Sequence, residues 1–172
     1  MNPMRQIRIE KLTLNIGAGK EQSILTKGMK LLEQITEIPP VKTITNKRIA
    51  AWGLRPGLPI GCKITLRGKK AQEIFSRLVG AKENILQLSN FDNYGNISFG
   101  IHEYIDIPQV KYDPEIGIIG LQVCLTLERP GFRIKKRKIS KRKIRPSHKI
   151  TQQDAIEYLK QEFHVKIAEE AS

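Results

Sequence analysis

Cysteine is almost absent: Cys62 and Cys124 are the only two in 172 residues, and they stand far apart. That excludes a disulfide-stapled scaffold and a cysteine-rich metal site, and it fits a reduced, cytoplasmic setting. Aromatic residues are only 6% of the chain, and the ring-bearing signature with which an RNA recognition motif stacks bases is missing. No apolar stretch nears the roughly 20 residues needed to cross a bilayer. The opening segment, Met1 to Leu12, carries charges where a secretory signal needs its apolar stretch. What is scarce locally is negative charge. Residues 41–82 hold ten basic residues and one acidic, and residues 129–149 hold eleven basic and none acidic, while the rest of the chain is net −7.

The overall charge of +13 therefore belongs to two defined stretches. A surface built this way suits a polyanion, because neutralising several phosphates releases condensed counterions and makes binding fall steeply with salt. The denser stretch contains Arg133, Lys135, Lys136, Arg137, Lys138, Lys141, Arg142, Lys143 and Arg145, nine cations in thirteen residues. Mutual repulsion at that density predicts an arm that is disordered until it meets an opposite charge.

Hydrophobic residues make up 40% of the sequence, enough for one compact core. Segment 5–16 reads as a strand whose apolar parity changes near Glu10, the mark of a bulge or a break. Leu25, Met29 and Leu32 predict a helix over 23–36, capped by Ser23 and stopped by Pro39 and Pro40. The clearest strand is 60–67, where Ile60, Cys62, Ile64 and Leu66 alternate with Gly61, Lys63, Thr65 and Arg67. Val41 to Asn46 is its expected hairpin partner, and the turn-rich Trp52–Pro59 is the tip. Ala71, Ile74, Phe75, Leu78 and Val79 match the helical template in full. Segments 97–107 and 118–127 read as further strands, and Thr151-Gln-Gln-Asp154 as a capping box opening a helix with Ala155, Ile156, Leu159 and Phe163 on one face.

This order of elements indicates an α+β fold, mostly antiparallel, with helices packed on one face of the sheet, a long β-hairpin tip loop and a basic C-terminal arm. The expected organisation is an RNA-binding core over 1–128, the basic arm over 129–150, and a C-terminal helix and tail over 151–172.

Catalytic patterns fail on spacing. Gly17-Ala-Gly19-Lys20 follows a strand, but Leu14 stands where a P-loop needs its first glycine, Glu21 where it needs Ser or Thr, and Gln22 where a dinucleotide site needs its third glycine. Two readings of this turn stay open: a plain strand-to-helix connection, or a nest of backbone N–H groups for one RNA phosphate. His102-Glu103 lacks the second histidine of a zinc-protease helix, since Asp106 occupies that place, and His148 and His164 have no matching spacing. No metal site and no cofactor is expected. Trp52, beside Asn46, Lys47 and Arg48, can stack on RNA or pack within the protein, and packing is slightly preferred.

Several segments together resemble one family: Leu14-Asn-Ile-Gly-Ala-Gly19, Leu54 through the stretch Pro-Ile-Gly-Cys-Lys-Ile-Thr-Leu-Arg to Gly68, and Gly95-Asn-Ile-Ser-Phe-Gly-Ile101. They resemble the universal large-subunit ribosomal protein family L-five, which binds 5S rRNA, over roughly residues 7–167. Tyr112 to Leu121 and Glu128 to Arg133 resemble its archaeal and eukaryotic branch, numbered eleven in eukaryotes, and the short start and basic arm look archaeal. The resemblance implies a ribosomal, noncatalytic protein that anchors 5S rRNA in the central protuberance and touches 23S rRNA. It also implies that the hairpin tip reaches the P-site tRNA, and that the protein meets a small-subunit head protein across an intersubunit bridge.

By position, Asn15, Trp52 and Thr65 match family residues that contact 5S rRNA. Leu54, Arg55, Pro56, Gly57, Leu58 and Pro59 match the tRNA-facing loop, with Arg55 foremost. Glu37-Ile38 stands where the family commonly has Gly-Gln, so the polar contact the resemblance implies there is either absent or supplied by a neighbour such as Lys42. Read from charge and alternation, Gly17, Gly19, Lys20, Lys42, Asn46, Lys47, Arg48, Lys63 and Arg67 complete the expected rRNA-binding set with the arm. Lys63, Thr65 and Arg67 recur about 7 Å apart, near the spacing of phosphates along a strand. Two rivals from other classes are a freestanding nucleic-acid binder without sequence preference, and a phosphate-handling enzyme at Gly17 to Lys20.

Overall fold

The computed structural model describes residues 2–168. Strand β1 (Arg8–Gly17) is the centre of a five-stranded antiparallel sheet, and its alternating Ile9, Leu12, Leu14 and Ile16 are all buried. The expected parity change is present as a bulge between Ile9 and Lys11. Helix α1 (Gln22–Thr36) follows the glycine turn, and β2 (Val41–Ile44) forms a hairpin with β3 (Pro59–Leu66). Helix α2 (Gly68–Gly80) buries Ala71, Ile74, Phe75, Leu78 and Val79, the five residues its periodicity singles out. After the short β4 (Ile85–Gln87), β5 (Asn96–Ile101) and β6 (Leu121–Glu128) complete the sheet in the order β2-β3-β1-β6-β5. Helix α3 (Gln152–Phe163) leads into β7 (Lys166–Ala168), which pairs in parallel with β4.

Several boundaries differ from the sequence reading. Ser23 lies inside α1 and does not cap it; Glu21 takes the cap position without a side-chain hydrogen bond. The helix ends at Thr36 as expected, where Glu37 adopts a left-handed conformation and returns its N–H to the Glu33 carbonyl. Strand β5 stops at Ile101, because Tyr104 turns inward to full burial and its hydroxyl accepts the Asp113 N–H at 2.9 Å. Strand β6 starts at Leu121, not 118, just past Gly120, which lies close against the carbonyls of Ile101 and His102. The tail beyond residue 168 lies outside the described residues.

Helices α1 and α2 cover one face of the sheet, the face that carries Leu12, Leu14, Ile16, Cys62, Ile64 and Leu66, so burial of apolar area holds both layers together. Gly28 lets α1 approach closely: a Cβ there would stand 3.1 Å from Ile16 and 3.2 Å from the Cys62 sulfur. Phe75 links three elements, meeting Phe99 of β5 edge-on at 6.3 Å and Phe163 of α3 at 4.9 Å between ring centroids.

The capping box of α3 is complete, with the Thr151 hydroxyl accepting the Asp154 N–H at 3.2 Å and Asp154 accepting the Thr151 N–H at 2.9 Å. Arg129, buried at the root of the arm, joins it with an ion pair to Asp154 at 3.1 Å and a hydrogen bond to the Lys149 carbonyl. Burial acts against the charged Asp154 carboxylate, but the Thr151 donors and the Arg129 guanidinium outweigh it and hold its pKa below the ordinary carboxylate range. A folded pKa below the unfolded one adds stability above the unfolded value, about 3.9, that is lost as pH falls through the folded value. Asp154→Asn should therefore be less stable than the parent at neutral pH and lose less stability on acidification below about pH 4. Urea midpoints at the two pH values check this, and parallel losses in both proteins would contradict it.

Candidate nucleic-acid interface

The strand register decides what the uncovered face presents. Across the sheet, Lys63 lies opposite Asn15, Asn15 opposite Gln122, and Gln122 opposite Gly100. The next row runs Thr65, Thr13, Cys124 and Ser98, and the next Lys11, Thr126 and Asn96. Directly opposed residues of antiparallel strands share a face, so these side chains form one continuous plane. Toward the edge strand the first row ends in Val41, opposite Lys63 and 64% exposed; every other residue in the three rows is polar, small or basic, and none is acidic. The Asn15 amide donates to the Gln122 carbonyl oxygen at 3.1 Å, which fixes both while leaving further donors and acceptors outward. Gly17 and Gly61 continue the plane opposite one another, and Gly61 has no room for a side chain because a Cβ would fall 2.6 Å from the Ile16 carbonyl.

At the far end of the plane stands the acidic Glu128, neutralised twice: Arg8 approaches it at 2.8 Å and Lys136 at 3.6 Å, while Lys136 also pairs with Glu10. Lys20, Lys42, Lys47, Arg48, Arg55, Lys63 and Arg67 form no ion pair among the described residues.

The structure groups the expected residues unevenly. Asn15, Gly17, Lys63 and Thr65 share the open plane, and the exposed Arg67 continues the alternation at its edge. Lys42 does not join them: it is paired with Cys62, so its Cβ lies on the helix side of the sheet. It is therefore badly placed to supply the polar group that Ile38 does not provide. Lys20 joins the hairpin tip, its side chain running past Gly53. The Ala18 N–H, the central amide of a phosphate nest at Gly17–Gly19, donates to the Ile60 carbonyl, and the Glu21 N–H closes the turn onto the Ala18 carbonyl. That favours the plain turn.

At the tip, the loop between β2 and β3 is closed by the Ile49–Leu54 bridge and a single 3-10 turn at Ala50–Trp52. Trp52 is 68% exposed. The preference for packing within the chain is overturned, because the turn that Gly53 closes directs the ring outward. Leu54 is the opposite case: at 7% exposure it is a packing residue inside the loop and cannot face tRNA. Pro59 belongs to β3 and is half-buried with Leu58, while Arg55, Pro56 and Gly57 are exposed. Asn46, Lys47 and Arg48 are exposed beside the tip, where the buried Thr45 hydroxyl donates to the Lys47 carbonyl.

The basic arm leaves the opposite end of the sheet, past the end of β6. It is tethered, contrary to the expectation of a free segment: Phe132–Lys135 forms a 3-10 turn, the Arg142 N–H donates to the Ile134 carbonyl, and Lys136 is held by Glu10 and Glu128. Local anions offset repulsion at that one lysine. Arg133, Lys138, Lys141, Arg142, Lys143 and Arg145 are exposed and form no ion pair among the described residues, while Arg137 donates to the Ser140 carbonyl.

Thr13, Lys11, Gln122 and Ser98 are functional candidates that the sequence reading missed. Alternation marks Gln122, Cys124 and Thr126 as polar partners of a buried face, but only the pairing of β6 with β1 places them beside Asn15.

A polar plane with cations at its edge, backed by an apolar core, is the kind of surface that suits an extended polyanion. Similarity to known proteins specifies the family. A profile described as "Ribosomal protein L5" matches residues 2–55, and the profile for the C-terminus of the same ribosomal family matches residues 59–158. A "Large ribosomal subunit protein uL5" from Sulfurisphaera tokodaii is 47% identical over 170 residues, covering 98% of this chain and 96% of that protein. Proteins of the same description from Methanosphaera stadtmanae and Nanoarchaeum equitans are 44% and 46% identical, covering 97% and 96% of this chain and 99% and 98% of theirs. The chain belongs to the L5 family of ribosomal proteins, and it is a structural component of the large ribosomal subunit, not an enzyme. That removes the enzyme rival. Among the described residues, no helix is long and apolar enough to cross a membrane.

Proposed function

We propose that the open face of the sheet holds 5S rRNA and anchors it in the central protuberance. The observation that carries this reading is the register, which lines up Lys63, Asn15 and Gln122 and, beside them, Thr65, Thr13, Cys124 and Ser98 in acid-free rows. Hydroxyl and amide groups on a rigid, shallow surface suit sugar and phosphate oxygens, and a flat array of this kind recognises folded RNA by shape more than by base edges. Exposed Trp52 adds a stacking ring at the rim.

The same reading places the arm against rRNA, with Lys136 serving to secure the arm instead of gripping RNA, and has the protein touch 23S rRNA as well as 5S rRNA. It assigns the P-site tRNA to Arg55, Pro56 and Gly57, and a small-subunit head protein to the far side of an intersubunit contact. The tip is closed by its own hydrogen bonds, so Arg55 can meet a neighbour without disturbing the base of the hairpin.

Competition binding tests the reading. Unlabelled 5S rRNA should displace labelled 5S rRNA from the chain at far lower concentration than random-sequence RNA does; equal potency would reduce the chain to a nonspecific binder. In the same assay Arg55→Ala should leave 5S rRNA binding unchanged and weaken tRNA contact in reconstituted subunits. Loss of 5S rRNA binding in that variant would show that the division between face and tip is wrong.

A further inference from the structure

Where the arm returns to the core, it closes a cleft of about 540 Å³. Tyr94, Phe132 and Ile144 supply its aromatic and apolar lining, and Lys143, Arg145 and Lys149 line it as well. No carboxylate lines it, and Lys135, Lys143, Arg145 and Lys149 form no ion pair among the described residues. The Tyr94 ring is 68% exposed, with the Lys149 ammonium 5.9 Å from its centre, and the Lys135 ammonium stands 4.6 Å from the centre of the Phe132 ring.

The cleft is preformed. Asp92 accepts the N–H groups of Tyr94 at 2.8 Å and Asn96 at 2.7 Å, which locks the turn that carries the tyrosine. Gly95 completes it with φ +76° and seats the turn on Ile150, so closely that a Cβ would fall 2.5 Å from that side chain. The arm thus has a fixed floor, although its sequence suggests only diffuse charge.

Four cations around an apolar, aromatic-walled space select a ligand with a flat body and an anionic edge. We propose that this cleft takes one unstacked nucleotide of rRNA, its base against the face of Tyr94 and its flanking phosphates on Lys143, Arg145 and Lys149. The proposal rests on the reading that the arm lies against rRNA, and it adds stacking to a contact that charge alone would make indifferent to RNA structure. The volume falls within the ordinary range for small-ligand sites, and a base gains affinity by stacking on an aromatic ring whatever its identity.

The test uses the full chain and a single-stranded RNA hexamer containing 4-thiouridine. Photocrosslinking followed by peptide mapping should find the adduct at Tyr94 or Phe132. Tyr94→Ala should weaken hexamer binding about tenfold, and Tyr94→Phe should restore it. Because Tyr94 is exposed, the alanine variant should melt like the parent, and a matching loss in Lys149→Ala gives a second check. Adducts confined to residues 11–17 or 59–67, with hexamer affinity unchanged in Tyr94→Ala, would overturn the cleft and leave the sheet reading standing. Displacement of the hexamer by an acidic peptide as readily as by unlabelled hexamer would also overturn it. Persistence of the Tyr94 adduct in a chain that fails to select 5S rRNA would sink the sheet reading alone.

Discussion

Replacing Lys63 and Arg67 together by alanine should weaken 5S rRNA binding roughly thirtyfold and make it less sensitive to salt. Both side chains are exposed and neither pairs with a carboxylate among the described residues, so their removal costs the fold little. Each phosphate contact removed should cost about 1 kcal/mol, somewhat below the roughly 1.5–3 kcal/mol of a charged hydrogen bond because water still reaches the site. About 2 kcal/mol in all corresponds to that factor. The slope of log affinity against log salt should fall by about 1.5, since each neutralised phosphate contributes roughly 0.7–0.9. A salt titration of both proteins measures the two quantities at once. An unchanged slope would remove these cations from the RNA contact, whatever happened to the affinity at one salt concentration.

Phe75→Ala should produce the largest loss of stability, about 3–5 kcal/mol. Phe75 is fully buried, and its ring is the common neighbour of Phe99 in the sheet and Phe163 in α3. Truncation leaves a cavity between three elements that cannot all collapse into it. Set against a total of about 5–15 kcal/mol for a natural domain, the variant would be close to unfolding at moderate temperature. The expected result is a much lower urea midpoint with an unchanged dependence on urea, and normal 5S rRNA affinity at a temperature where the variant stays folded. A small shift in midpoint would show that the helical layer is not what keeps the polar plane rigid. A loss of affinity in the folded variant would show that the plane depends on fine positioning from below.

How much of this was legible in the sequence depends on how local the signal is. Helix α2, strand β3 and the Thr151–Asp154 box are set by neighbours within a few residues, and each forms where its pattern indicates. The interface is different in kind. Asn15 and Gln122 are 107 residues apart and meet only because β1 pairs with β6, so no window along the chain contains both. Trp52 and Leu54 show the same limit at short range. Two apolar residues in one turn-rich segment take opposite fates because Gly53 adopts a left-handed conformation between them, sending one outward and the other in. The tether at Lys136 needs Glu10 and Glu128 from two separate strands. Charge counting correctly located the basic regions, but it could not tell a cation already neutralised, such as Arg129 or Lys136, from one left free.

The two cysteines offer the most direct test of the central claim. Cys62 faces the helices, is buried, and burial pushes its thiol pKa up to about 11, so it should resist alkylation while the chain is folded. Cys124 is exposed in the middle of the open plane, between Thr13 and Ser98. Maleimide labelling of the full chain should therefore modify Cys124 alone, and saturating 5S rRNA should abolish that labelling whereas random RNA at the same concentration should not. Unimpeded labelling of Cys124 in a chain shown to be bound to 5S rRNA would mean that the RNA lies elsewhere and that this face of the sheet is not its seat.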